Sequence, residues 1–77
     1  MTAQVRIDVR GMTCSDAVVR LHKTISPLPS GGTVIVLSDD DEVVADLRKY
    51  AKRGGHTWAG ERAGNGGTFE CEVRRGE

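Results

Sequence analysis

The spacing of apolar residues changes within the first 25 positions of this chain. Every second residue is apolar over positions 5–9, which is the pattern of a strand with one buried face. After Cys14 the apolar residues follow helical spacing instead: Ala17, Val18, Leu21 and Ile25. We therefore predict a strand over residues 5–9 and a helix over residues 15–25.

A second strand and a second helix follow. Residues 26–32 contain both prolines and two adjacent glycines, so they end the first helix and form a loop. The continuous apolar run at residues 33–37 is typical of a central strand that is covered on both faces. Four acids at residues 39–42 then precede a helix with basic residues at its end, which Gly54 and Gly55 terminate.

Two more strands complete the chain. Residues 56–62 predict a third strand, and the glycine-rich residues 63–67 predict a turn. Phe69, Cys71 and Val73 alternate with charged residues, so Cys71 is expected to face the core on a fourth strand.

The predicted order is β1-α1-β2-α2-β3-β4. Two right-handed βαβ crossovers place both helices on one face of a sheet in which strands 1, 2 and 3 are parallel. The fourth strand returns antiparallel, so the fold class is a two-layer α/β sandwich with a mixed four-stranded sheet. With 77 residues there is room for a single domain, over residues 1–77, and not for a separate cofactor domain.

Charge and composition exclude several classes of protein. Eleven basic and eleven acidic residues cancel, so we expect neither nucleic acid nor a membrane surface as the main partner. Two distant cysteines do not make a disulfide framework. Met1 leads directly to the first strand without a signal-peptide core, and no apolar stretch is long enough to span a membrane. We expect a cytoplasmic, reduced protein.

Cys14 is the candidate nucleophile, because it lies in the first turn of the predicted helix. Unpaired backbone N–H groups and the helix dipole favour a thiolate there. Thr13 and Asp16 resemble a capping box, although Cys14 itself could be the N-cap residue. The charge of Asp16 is expected to oppose the effect of the dipole. His56 starts the third strand at the other edge of the sheet, so we predict a thiol without a histidine partner.

The turns after the parallel strands should meet at one edge of the sheet. The Cys14 turn, the turn at residues 39–41 and the turn at residues 63–67 all follow the carboxyl ends of strands, where α/β folds usually place their sites. The acids of the second turn are expected first of all to cap the second helix.

These features resemble the small sulfur-carrier proteins of the TusA/SirA family. The matching segments span nearly the whole chain: Ile7-Asp8, Gly11-Met12-Thr13-Cys14, Lys23, Gly31-Gly32, Asp39-Asp40 and Gly55-His56. The resemblance implies that Cys14 carries a persulfide, received from a donor such as a cysteine desulfurase or a rhodanese and passed to an acceptor protein. It implies no cofactor. We expect Arg10, Gly11, Asp39 and Asp40 to be binding residues beside Cys14.

Two alternatives remain. The family follows its cysteine with Pro, any residue and Pro, whereas this chain has Ser15-Asp16-Ala17, so the domain could be a noncatalytic interaction or regulatory module that retains the fold. Residues 11–14 also match the start of a heavy-metal-binding motif, but Ala17 stands where that motif has its second cysteine. A metal-binding module is the weaker alternative, and we predict no metal site.

Overall fold

The computed structural model describes residues 3–76. Its elements are β1 (Gln4–Asp8), α1 (Cys14–Ile25), β2 (Thr33–Ser38), α2 (Asp41–Arg53), β3 (Thr57–Ala63), a 3-10 turn (Asn65–Gly67) and β4 (Phe69–Arg74). The predicted order of strands and helices is confirmed. Boundaries differ by one residue at several ends, and α1 begins at Cys14 rather than after it.

The four strands form one mixed sheet in the order β1-β2-β4-β3. β1 and β2 are parallel, and β4 is antiparallel to both of its neighbours, β2 and β3. β1, β2 and β3 therefore run in the same direction, as predicted. The crossover through α2 leaves a gap of one strand beside β2, and β4 fills that gap by turning back from β3.

Both helices pack on one face of this sheet and enclose the core. α1 contributes Ala17, Leu21 and Ile25, which are fully buried. α2 contributes its buried residues Val43, Val44, Leu47 and Ala51. Cys71 lies in the same cluster, as its alternation with charged residues predicts. Within residues 3–76, neither helix has the length and the apolar run that a membrane crossing requires.

β2 is buried on both faces, as predicted, but the helices cover only one of them. Val34 and Val36 belong to the core beneath the helices, whereas Ile35 points to the other face of the sheet and lies outside that core. Ile35 is nonetheless buried, because long charged side chains of neighbouring strands surround it. Arg6 and Arg62 both bind Glu70 there, at 3.1 and 2.7 Å. An ionic layer of side chains thus replaces a second layer of secondary structure.

His56 lies just before β3, at the edge of the sheet opposite to Cys14, as expected. Its Nδ1 accepts a hydrogen bond from the backbone N–H of Gly76 at 3.0 Å. Burial, and then the charges of Arg75 and His22, lower the pKa of His56 below its ordinary value of 6.5. The fold therefore favours the neutral imidazole, which accepts the hydrogen bond from the C-terminal segment.

We expect His56 to make the free energy of unfolding depend on pH. The pKa of His56 is lower in the folded protein than in the unfolded chain. The stabilising contribution of His56 is therefore complete above pH 6.5. It declines as the pH falls below 6.5, because the unfolded chain then binds the proton more readily than the folded protein. Urea unfolding at a series of pH values measures this decline. In His56→Gln the decline should be smaller, and an identical pH dependence in both proteins would contradict the assignment.

Candidate functional site

A tight turn between β1 and α1 places Cys14. The backbone N–H of Met12 donates to the carbonyl oxygen of Val9 at 3.1 Å, and Gly11 has a φ of 77°. This left-handed conformation at the third residue of a turn favours glycine, since a Cβ atom would be strained there. The turn directs the chain from the edge of the sheet into the first turn of α1.

The N-cap of α1 is Thr13, so the alternative in which Cys14 caps the helix is wrong. Thr13 has an extended backbone, and its Oγ1 accepts a hydrogen bond from the N–H of Asp16 at 3.1 Å. Cys14 is the first helical residue, and its thiol does not serve as the cap. It is partly exposed, which leaves the sulfur within reach of a partner.

The thiol opens into a cleft between the two helices. The volume of the cleft is about 420 Å³. It is lined by side chains of both helices: Cys14, Ser15, Val18, Asp46, Lys49, Tyr50 and Arg53. The hydroxyl group of Tyr50 lies 2.8 Å from Nδ1 of His22, so a hydrogen bond between the helices holds the wall of the cleft.

The expectation of a thiol with a lowered pKa is wrong. The Asp46 carboxylate has the largest of the effects that raise the pKa of Cys14. Partial burial and the negative charges of Asp40 and Glu42 act in the same direction. All three acids precede or belong to α2, whereas Asp16 does not line the cleft. A carboxylate that opposes thiolate formation is therefore present, but it is Asp46 of α2 and not Asp16 of α1 that has the largest effect.

Cys71 provides the contrast. It is fully buried on β4, and burial raises the pKa of its thiol to about 11. Its side chain fills the core between the sheet and the helices. The prediction that Cys71 is a core residue is confirmed.

The predicted binding residues surround the turn of Cys14 at one edge of the sheet. Arg10 is exposed and forms a bidentate ion pair with Asp8, with Nη2 to Oδ2 at 2.8 Å. The N–H of Gly11 lies 3.4 Å from an Asp39 oxygen, so the turns after β1 and β2 meet as predicted. Asp40 is the N-cap of α2, because its Oδ1 accepts from the N–H of Glu42 at 2.8 Å. Contact of these residues with a partner stays a prediction.

Asp46 and Tyr50 were not predicted from the sequence. Tyr50 stands among the apolar residues of α2, and Asp46 looks like one more charge on an amphipathic helix. The parallel packing of α1 and α2 brings both residues to Cys14. Ala17, where a metal motif has its second thiolate, is buried in the core. Among residues 3–76, no group of three or more His, Cys, Asp or Glu side chains is arranged to hold a metal ion.

Comparison with known proteins relates this chain to one family of small proteins. The family model described as sulfurtransferase TusA matches residues 5–75. The sulfur carrier protein TusA of Pseudomonas syringae pv. syringae (strain B728a) is 31% identical over 75 residues, which cover 97% of this chain and 88% of that protein. The protein of the same name from Pseudomonas savastanoi pv. phaseolicola (strain 1448A / Race 6) is 29% identical with the same coverage.

A solved structure shares the fold. The crystal structure of a SirA-like protein from Desulfitobacterium hafniense matches with a TM-score of 0.85 and 31% sequence identity, over 95% of this chain and 99% of that one. Fold and sequence therefore agree, and the chain belongs to the TusA family of sulfurtransferases.

Proposed function

We propose that this protein accepts a sulfane sulfur as a persulfide on Cys14 and relays it to an acceptor protein. The observation that carries the proposal is the partly exposed thiol in the first turn of α1, at the mouth of a cleft between the helices. The similarity to proteins named sulfur carrier TusA supports it.

The proposed transfer conserves atoms and electrons. The thiol of Cys14 first loses its proton, because only the thiolate is nucleophilic. The thiolate attacks the terminal sulfur of a donor persulfide, a new S–S bond forms, and the S–S bond of the donor breaks. The cysteine sulfur of the donor leaves as a thiolate and takes up the proton. Cys14 then carries the persulfide, and the same step with the roles exchanged delivers the sulfur to the acceptor.

We expect the donor to be a cytoplasmic cysteine desulfurase or rhodanese, and the carrier itself to need no cofactor. Arg10 and Gly11 in the first turn, with Asp39 and Asp40 in the second, form the rim next to the thiol. Their exposed polar groups suit a transient contact with another protein, in which charge complementarity sets the orientation more than the affinity. No step of the transfer involves nucleic acid or a membrane.

Incubation with a cysteine desulfurase and cysteine is expected to add about 32 Da, the mass of one sulfur atom, to the protein. Intact-mass spectrometry detects the adduct, and a reducing agent should remove it. Cys14→Ser should abolish the adduct, whereas Cys71→Ala, which changes only the buried thiol, should retain it. If the wild type takes up no sulfur from several desulfurases and rhodaneses, the proposal fails, and a noncatalytic interaction module is the better account.

A further inference from the structure

We propose that Asp46 is a positioning residue of the Cys14 site: it lines the same cleft as the thiol from the neighbouring helix, and its carboxylate keeps the unloaded carrier weakly reactive. This inference rests on the proposed function for its biological meaning. It concerns a side chain of α2, outside the turn that carries the cysteine.

The packing of the two helices brings Asp46 and Cys14 to the same cleft. Cys14 begins α1, whereas Asp46 lies in the middle of α2, and both line one cleft together with Val18 and Tyr50. The hydrogen bond between His22 and Tyr50 ties the two helices together one to two turns further along. Asp46 thus belongs to the fixed wall of the site and is not a loose surface charge.

The charges around the sulfur are unequally distributed. Asp40, Glu42 and Asp46 all act to keep the proton on Cys14, and Asp46 has the largest effect. On α1 itself, Asp16 donates its backbone N–H to Thr13, and it does not line the cleft. The cations of the cleft, Lys49 and Arg53, lie one and two turns beyond Asp46 toward the end of α2. The thiol therefore lies at the acidic end of the cleft.

The acidic side chains around Cys14 affect how readily the unloaded carrier reacts. An exposed thiolate reacts readily with oxidants and stray electrophiles, and a thiol that keeps its proton is protected from both. A donor whose cationic group pairs with Asp46 on docking would remove the restraint. Thiolate formation would then be favoured where sulfur is delivered.

The test compares Asp46→Asn with Asp16→Asn, both in a Cys71→Ala background so that Cys14 is the only thiol. Asn keeps the volume of the side chain and removes its charge. The rate of alkylation by iodoacetamide is measured from pH 6 to pH 10 (a window of about two units on either side of pH 8, chosen to bracket ordinary thiol titration). No sulfur donor is needed, so the result is independent of whether the protein carries sulfur.

We expect the pH profile of Asp46→Asn to move to lower pH and that of Asp16→Asn to stay with the parent. At neutral pH the Asp46→Asn rate should rise about two- to five-fold, because a larger thiolate fraction outweighs a modest loss of nucleophilicity. Asp46→Ser should behave like Asp46→Asn and replaces it if that variant does not fold, as judged by circular dichroism. An unchanged midpoint in the folded Asp46 variants, or an equal shift in Asp16→Asn, would overturn the proposal.

Discussion

Iodoacetamide applied to the folded protein is expected to modify Cys14 at least about a hundredfold faster than Cys71. Cys14 is partly exposed at the start of a helix, whereas Cys71 is fully buried on β4, between β2 and β3. The thiol pKa of about 11 reduces the reactivity of Cys71 further. Cys71 can react only when the sheet opens, and core strands open with free energies close to that of global unfolding.

Peptide mass mapping over a time course measures the two rates. In concentrated denaturant the difference should nearly vanish, because both thiols are then exposed to solvent. Comparable labelling of the two cysteines in the folded protein would contradict the burial of Cys71 in the core and the exposure of Cys14.

Leu21→Ala is expected to lower the free energy of unfolding by about 3 kcal/mol, within the usual range of 2–5 kcal/mol for such a truncation. Leu21 is fully buried where α1 meets the sheet, and the truncation leaves a cavity that the surrounding side chains fill only in part. Small domains have total stabilities of roughly 5–15 kcal/mol, so this single change would remove a large fraction.

Val19→Ala is the matched control, because Val19 lies on the same helix with 49% of its surface exposed. Its effect should stay within about 0.5 kcal/mol, since little apolar surface is lost and alanine favours helix. Urea unfolding of the three proteins gives the comparison. Equal destabilisation by the two substitutions would contradict the amphipathic packing of α1.

Local spacing was sufficient to predict the elements of this fold. The i, i+4, i+8 pattern of Ala17, Leu21 and Ile25 specified both the helix and its buried face, and all three residues are fully buried. The alternation around Cys71 specified its direction on β4 in the same way. Both patterns can be recognised in the sequence because they involve residues that are close together along the chain.

The site could be predicted in part. The right-handed crossover rule was enough to expect that the turns after β1 and β2 meet, and the contact between Gly11 and Asp39 confirms it. The position of Cys14 at a helix start was also predicted. Its electrostatic environment was not, because the field at the sulfur depends on α2, more than 25 residues further along the chain.

The sequence by itself determined the order of strands and helices, the buried faces of the helices and the cysteine that is exposed. Only the tertiary structure decided that β4 lies between β2 and β3, that charged side chains cover Ile35, and that Asp46 and Cys14 line the same cleft. The physical reason is the range of the interactions involved. The periodicity of apolar residues depends only on the helix or strand that contains them. The order of the strands and the charges across a cleft depend on how separate elements pack.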